Sequence, residues 1–304
     1  MTLTTRQAVL ITAYKNVEQI VDIINYLGDN FEFYIHVDKK STMDLSPIED
    51  RDYVHVFKKF YVNWGSVNHL KSILLLSKEA LIDERNQFFH LITGQDFPVK
   101  PINYFYNELD TRKDYIDYFE MPAKNCWKDE NGGMDRIEYY RPFEVFNDKS
   151  TMGRIILQIL FKTQKILKIK RKLPVGIFPK FYGGNTYWSL TRGSLQYVLD
   201  FTTENEKAIK SMNHTFCAEE IYFQTVLLNS KYSCNIVNDN LRYIDWNPER
   251  ERPAFLDATD YEKFKSSNKL FARKFHERDS DELKRLIINS QSMGQISLKL
   301  YEHD

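Results

Sequence analysis

The sequence is short of cysteine, of long apolar runs and of net charge, and each shortage closes off a class of protein. Its three cysteines, Cys126, Cys217 and Cys234, show no Cys-x-x-Cys spacing. Neither a disulfide framework nor a zinc site is suggested, and a reducing compartment is expected. The apolar stretch near the amino end, Ala8-Val9-Leu10-Ile11, gives way to Tyr14-Lys15-Asn16. That is too short for a signal-peptide core or a membrane-spanning helix, so a cytoplasmic protein is expected. Lys+Arg and Asp+Glu both number 42. With no basic field to drive non-specific phosphate binding, nucleic acid is not an expected partner. Low-complexity tracts and internal repeats are also missing.

What is present fits an ordered globular protein. Hydrophobic residues make up 42% of the 304 residues and charged residues 28%, enough to bury a sizeable core. One continuous catalytic domain over residues 1–304 is expected, with a nucleotide-binding half over about 1–110 and an acceptor-binding and catalytic half over about 111–304. The 19 Tyr, 21 Phe and 4 Trp suit core packing first, but such rings also line sugar clefts by stacking.

The apolar run Ala8 to Ala13 predicts a strand buried on both faces. Asn16 is placed to cap a following helix, with Gln19 completing a capping box, and Val17, Ile20, Val21, Ile24 and Leu27 recur at helical spacing up to Gly28. Phe31 to Val37 reads as the next strand and ends at Asp38. Tyr53 to Phe57 reads as a strand, Val67 to Leu81 as a helix, and Phe88 to Ile92 as a strand entering Thr93-Gly94-Gln95-Asp96-Phe97-Pro98. The alternation argues for an α/β fold with a mostly parallel sheet flanked by helices. Ligands of such sheets gather beyond the carboxyl ends of the strands, where Asp38, Trp64-Gly65-Ser66 and Asp96 fall. Further on, Tyr115 to Phe119 is expected as a strand, and Lys124 to Phe143 as a polar, aromatic region suited to acceptor binding. Thr186 to Leu190 is expected as a strand, Ser194 to Phe201 and Glu219 to Leu228 as helices, and Asn240 to Trp246 as strand-like. Ile155 to Lys172 reads as a basic amphipathic helix, either packed on the core with its lysines in solvent or resting on an anionic membrane.

Sugar transfer from a nucleotide needs a site for the base and ribose, positive charge at the leaving diphosphate and a base for the acceptor hydroxyl. Asp38 is either a nucleotide contact or an ordinary turn aspartate. Two Asp-x-Asp pairs occur, Asp50-x-Asp52 and Asp279-x-Asp281. Their positions before a strand and at a helix start suit a turn and a cap better than a metal site. With no metal pair at a strand end, Arg252, Arg273 and Lys274 are the candidates to neutralise a diphosphate. Glu219-Glu220 places carboxylates at a helix start, which on its own is explained by the helix dipole.

Taken in order, Val37-Asp38-Lys39-Lys40, Trp64-Gly65-Ser66, Leu91 to Pro98, Trp188-Ser189-Leu190-Thr191, Glu219-Glu220 with Thr225, and Phe271-Ala272-Arg273-Lys274-Phe275 resemble the core-2/I-branching β-1,6-N-acetylglucosaminyltransferase family, which also contains peptide O-xylosyltransferases. The resemblance implies a GT-A type nucleotide-sugar fold and metal-independent transfer from a UDP-sugar with inversion, without any cofactor. It makes Glu220 the general base, with Glu219 on the helix surface. Lys274 becomes a diphosphate contact, Arg252 its partner in competition with Arg250, and Asp38 the acid that reads uridine. Ile11, Asp38, Arg252, Arg273 and Lys274 form the expected donor side. Asp96 and Trp246 form the expected acceptor side, although Trp246 equally suits a core. The expected partners are a UDP-sugar, N-acetylglucosamine leading and xylose the alternative, and a glycan or lipid-linked oligosaccharide acceptor. The expected location is the cytoplasm, with peripheral contact through 155–172 at the inner face of the membrane. A glycoside hydrolase using Glu220 and Asp96, a glycan-binding protein without donor use and a metal-dependent transferase are the competing functions.

Overall fold

The first apolar run is buried on both faces because it becomes the centre of a sheet. In the computed structural model, which describes residues 6–124, 126–127, 131–247, 249–250 and 253–290, this strand is β1 (Arg6–Ala13). The strands that follow are β2 (Phe31–Val37), β3 (Val54–Phe57), β4 (Asn86–Thr93), β5 (Asp96–Pro98), β6 (Asp114–Ile116), β7 (Phe119–Met121), β8 (Phe181–Gly183), β9 (Trp188–Thr191), β10 (Ile236–Val237), β11 (Arg242–Ile244) and β12 (Phe271–Arg273). Seven of them form one sheet in the order β10-β6-β9-β4-β1-β2-β3. β1 is parallel to β2 and β4, and β2 to β3, whereas β9 runs antiparallel between β4 and β6. The architecture is the expected α/β one, a mostly parallel sheet with helices on both faces.

Side-chain alternation along β1 builds two cores. Ala8 and Leu10 join one cluster with Leu70, Ile73 and Leu76 of the Val67–Ile82 helix. Val9 and Ile11 join the other with Ile20, Ile23 and Ile24 of the Val17–Leu27 helix. All four of these β1 side chains are fully buried, and burying a branched aliphatic side chain contributes roughly 1.5–3 kcal/mol. Both expected halves supply strands to the one sheet. A smaller sheet, β11-β12-β5, sits beside it. The two are tied by Arg242, whose buried guanidinium donates to Ser189 Oγ (2.7 Å) and to the carbonyls of Leu91 (2.9 Å), Trp188 (2.8 Å) and Asn240 (2.5 Å).

Several expected boundaries move for local reasons. Asn16 does cap the first helix by accepting from the Gln19 amide nitrogen (3.3 Å), but no reciprocal box forms. The Gln19 side chain donates instead to the Asp96 carbonyl (2.9 Å). The expected strand Tyr115 to Phe119 divides between β6 and β7, which pair in different sheets. The basic helix runs over Thr151–Leu167, starting at a Ser150 cap and ending where Lys168 turns left-handed (φ 54°). Glu219 to Leu228 is interrupted: a 3-10 turn, Ala218–Glu220, precedes the Tyr222–Leu228 helix. Among the described residues no helix is long and apolar enough to cross a membrane.

Candidate functional site

The carboxyl ends of β1, β2 and β4 open into a cavity of about 930 Å³ lined by Thr12, Ala13, His36, Asp38, Thr93 and Gln95 among others. Sheets of this topology leave such a crevice because the loops after their parallel strands diverge. The small sheet closes another wall with Trp246, Arg273 and Lys274, and the turn carrying Glu219 and Glu220 closes a third. Asp38, Arg273, Lys274, Trp246 and Glu220 are thus brought together from widely separated parts of the chain.

Glu220 is held at the cavity by its partners. Its Oε2 accepts from Arg136 Nη1 at 2.5 Å, and the side chain stays 24% exposed. Arg136 itself stacks on Trp127, with its guanidinium carbon 3.4 Å from the ring centroid, and lies 5.0 Å from the Phe216 ring. Loss of hydration raises the Glu220 carboxyl to about 7; Arg136 counteracts that rise and the Glu219 charge adds to it. The backbone under the turn is constrained. Cys217 donates its amide to the Gly65 carbonyl (3.0 Å), and Gly65 has φ +78° with no room for a Cβ, which would sit 2.6 Å from the Phe216 ring. This gives the Gly of Trp64-Gly65-Ser66 a definite task in seating the acid-bearing turn.

Glu219 is not on a helix surface. Because the turn is 3-10, its side chain goes inward and is buried, with Oε1 3.0 Å from His69 Nδ1. His69 Nε2 lies 3.1 Å from Thr12 Oγ1, so a line of polar groups joins Glu219 to the end of β1. His36 nearby has its ring pushed down to about 4 by burial and is neutral, accepting from the Phe60 amide at 3.1 Å.

On the expected donor side, Asp38 has the bonding of a turn aspartate and a place in the cavity wall. Oδ1 accepts from the amides of Lys40 (3.0 Å) and Val62 (3.2 Å), as a turn aspartate does, while the residue also lines the cavity. Arg273 stacks over Tyr187 at 4.8 Å, and Lys274 Nζ lies 4.4 Å from the Phe255 ring centroid. Ile11 does not reach the cavity: it is fully buried in the core two residues short of the carboxyl end of β1, where Thr12 and Ala13 line the site. Arg252 lies outside the described residues. Arg250 is committed elsewhere, to Asp245 (2.8 Å) and Asp260 (3.1 Å).

On the acceptor side, Trp246 is 54% exposed at the cavity and is not a core residue. Asp96 is corrected. It is fully buried, takes no part in the lining, and accepts from the Thr93 amide at 2.6 Å and Thr93 Oγ1 at 3.2 Å. Its Oδ1 lies 3.5 Å from Arg273 Nε, and the antiparallel pairing of β5 with β12 sets the two residues opposite one another. Burial raises its carboxyl even with Arg273 beside it. Asp96 therefore sits beside a cavity cation and does not itself reach the cavity. Neither Asp-x-Asp pair lines the cavity, and no group of three or more metal-ligating side chains occurs among the described residues.

Nothing in the sequence marks Arg136, His69 or Tyr187 as site residues. Each is a single polar or aromatic residue without a spacing signature, and only folding brings it to the site. Lys124 to Phe143, the region expected to suit acceptor binding, contributes Arg136 to the Glu220 carboxylate.

Comparison with known proteins adds an independent line. Residues 8–267 match the family described as "Branch: Core-2/I-Branching enzyme". Xylosyltransferase 1 of Rattus norvegicus is 25% identical over 300 residues, covering 91% of this chain and 33% of that protein. Xylosyltransferase oxt of Drosophila melanogaster is 26% identical over 223 residues, covering 70% and 23%. The chain thus spans a third or less of the length of these relatives. A glycosyltransferase involved in the glycosylation of the major capsid of PBCV-1 aligns with TM-score 0.35 and 10% identity, covering 95% of this chain and all of that one. The apo-form glycosyltransferase GlyE of Streptococcus pneumoniae TIGR4 gives TM-score 0.38 at 10% identity, covering 96% and 64%. At those scores neither structural likeness carries an argument.

Proposed function

This chain belongs to the Core-2/I-branching enzyme family, and from that premise we propose that it transfers a sugar from a UDP-sugar to a glycan hydroxyl, inverting the anomeric centre without a divalent metal. The observation that supports this most is the single cavity in which Glu220 shares space with Asp38, Arg273 and Lys274. An acceptor hydroxyl is far too weak an acid to ionise at neutral pH. Glu220, with its carboxyl raised to about 7, is suited to take that proton as the oxygen attacks. The departing diphosphate gains negative charge, and Arg273 and Lys274 are placed to offset it. Asp38 keeps its role as a contact for uridine, and Trp246 as a stacking surface for the acceptor ring.

N-acetylglucosamine is the donor sugar in this proposal. Xylose is a second reading, favoured by the relatives, which are named xylosyltransferases. The hydrolase alternative is less well supported, since Asp96, its expected second carboxylate, is buried beside Arg273 and does not line the cavity.

The test is a screen for UDP release across UDP-sugars, run with and without excess chelator. Release from UDP-N-acetylglucosamine or UDP-xylose that persists in EDTA is expected. Turnover lost in EDTA and restored by manganese would reject the metal-independent mechanism, and no binding of UDP in titration would reject donor use altogether.

A further inference from the structure

The Thr151–Leu167 helix is packed the wrong way round for a core helix. The residues it buries are Gly153, Leu157 and Gln164. Its broadest apolar stripe faces outward: Met152 is 69% exposed, Ile155 47%, Ile159 58% and Ile166 78%. At 100° per residue these four fall within an arc of about 60°. A globular surface helix ordinarily turns such a stripe inward, so this face is built to meet something other than water.

The charge around the stripe identifies the chemistry of its partner. Between Thr151 and Lys172 there is no Asp or Glu, against seven Lys and Arg. Three of those cations serve the fold: Lys165 pairs with Asp135 (2.8 Å), Lys170 with Glu138 (2.5 Å), and Arg171 donates to Thr215 Oγ1 (3.0 Å). Lys162 on the rim of the stripe, and Lys168 and Lys172 past the carboxyl end, are exposed, as is Ile169 at 46%. An apolar strip edged by lysines with no acid among them matches a surface that is apolar below and anionic above.

We propose that this helix lies flat on a lipid bilayer carrying anionic headgroups, its isoleucine stripe in the acyl boundary and Lys162, Lys168 and Lys172 at the phosphates. The chain entering the helix contributes Asn147 and Lys149 to the cavity lining. Docking therefore holds the cavity at the bilayer surface, where a glycan acceptor on a lipid carrier is presented. The docking goes beyond the sugar-transfer proposal and stands independently of turnover.

Flotation of the full chain with vesicles tests it, using phosphatidylcholine alone or mixed with phosphatidylglycerol. Recovery with the mixed vesicles only, weakened by salt, is expected. Lys162→Gln/Lys168→Gln/Lys172→Gln should lower the partition roughly 100-fold, at about tenfold or less per lysine. Ile155→Asp/Ile159→Asp/Ile166→Asp should abolish it. All six positions are exposed, so the thermal midpoint of each variant should match the parent, which separates lost docking from lost folding. Equal partition into neutral vesicles, or partition unchanged in either variant, overturns the proposal. Self-association without vesicle binding, lost in the isoleucine variant, also overturns it and assigns the face to a second copy of the chain.

Discussion

Replacing Glu220 by Gln keeps the shape of the side chain and an acceptor for Arg136, but removes the basic oxygen. General-base catalysis contributes about 100–10,000-fold, so kcat should fall by that range while UDP affinity stays near the parent value. The pH profile is the sharper measurement. With its carboxyl raised to about 7, Glu220 is roughly half ionised at neutral pH, and kcat/KM falls about tenfold for each further unit of acidification. Only the ionised form can accept a proton, so activity rises with pH through 7 and then levels. Its neighbours should move that limb in opposite directions. Arg136→Met removes the cation that favours the ionised form, so the limb moves to higher pH with the alkaline plateau retained. Glu219→Gln removes a like charge, so the limb moves to lower pH. Continuous detection of UDP release in each variant measures all three profiles. A parent profile flat between pH 5.5 and 8, or Glu220→Gln turning over within threefold of the parent, would refute the assignment.

Two further outcomes follow from the packing. Lys274→Ala should cost ~2–4 kcal/mol of transition-state stabilisation if the ammonium acts as a preorganised charge on the diphosphate, read as a fall in kcat/KM together with weaker UDP binding in titration; unchanged kinetics would remove Lys274 from the site. Arg242→Met strands the carbonyls of Leu91, Trp188 and Asn240 and should destabilise the fold by ~2–4 kcal/mol, seen as a lower urea midpoint with the slope preserved.

The sheet was legible wherever side-chain pattern alone decides structure. β2 falls on Phe31 to Val37 as expected, and β1 extends the expected run by two residues at its start. The cavity lining was legible where a motif ends a strand, as at Asp38 after β2 and at Arg273 and Lys274 at the end of β12. Ile11 was misplaced because the cavity opens only at the last two residues of β1, Thr12 and Ala13, and the sequence does not say how far back along a strand a ligand crevice reaches. Asp96 was misplaced because a carboxylate beyond a strand end looks the same whether it meets substrate or a turn amide. Glu219 was misplaced because the expected continuous helix is a 3-10 turn followed by a separate helix, and that break swings its side chain inward. Arg136 had no local signal at all: its partner lies 84 positions away.

The pairing of β5 with β12 sets the order in which the protein can be completed. Asp96 and its strand emerge early in synthesis, together with the parallel core around β1, β2 and β4. Their partner strand, with Arg273, comes far later; at ribosomal rates of 5–20 residues per second the wait is roughly 10–35 s. During that interval Asp96 lacks the cation it is matched to, and the edge of β5 is unpaired, which is the condition in which nascent chains attract chaperones or one another. A chain stopped before residue 271 could hold most of the sheet yet lack the wall that carries the positive charge. Assembly of the cavity is therefore a late checkpoint on an otherwise early-forming scaffold.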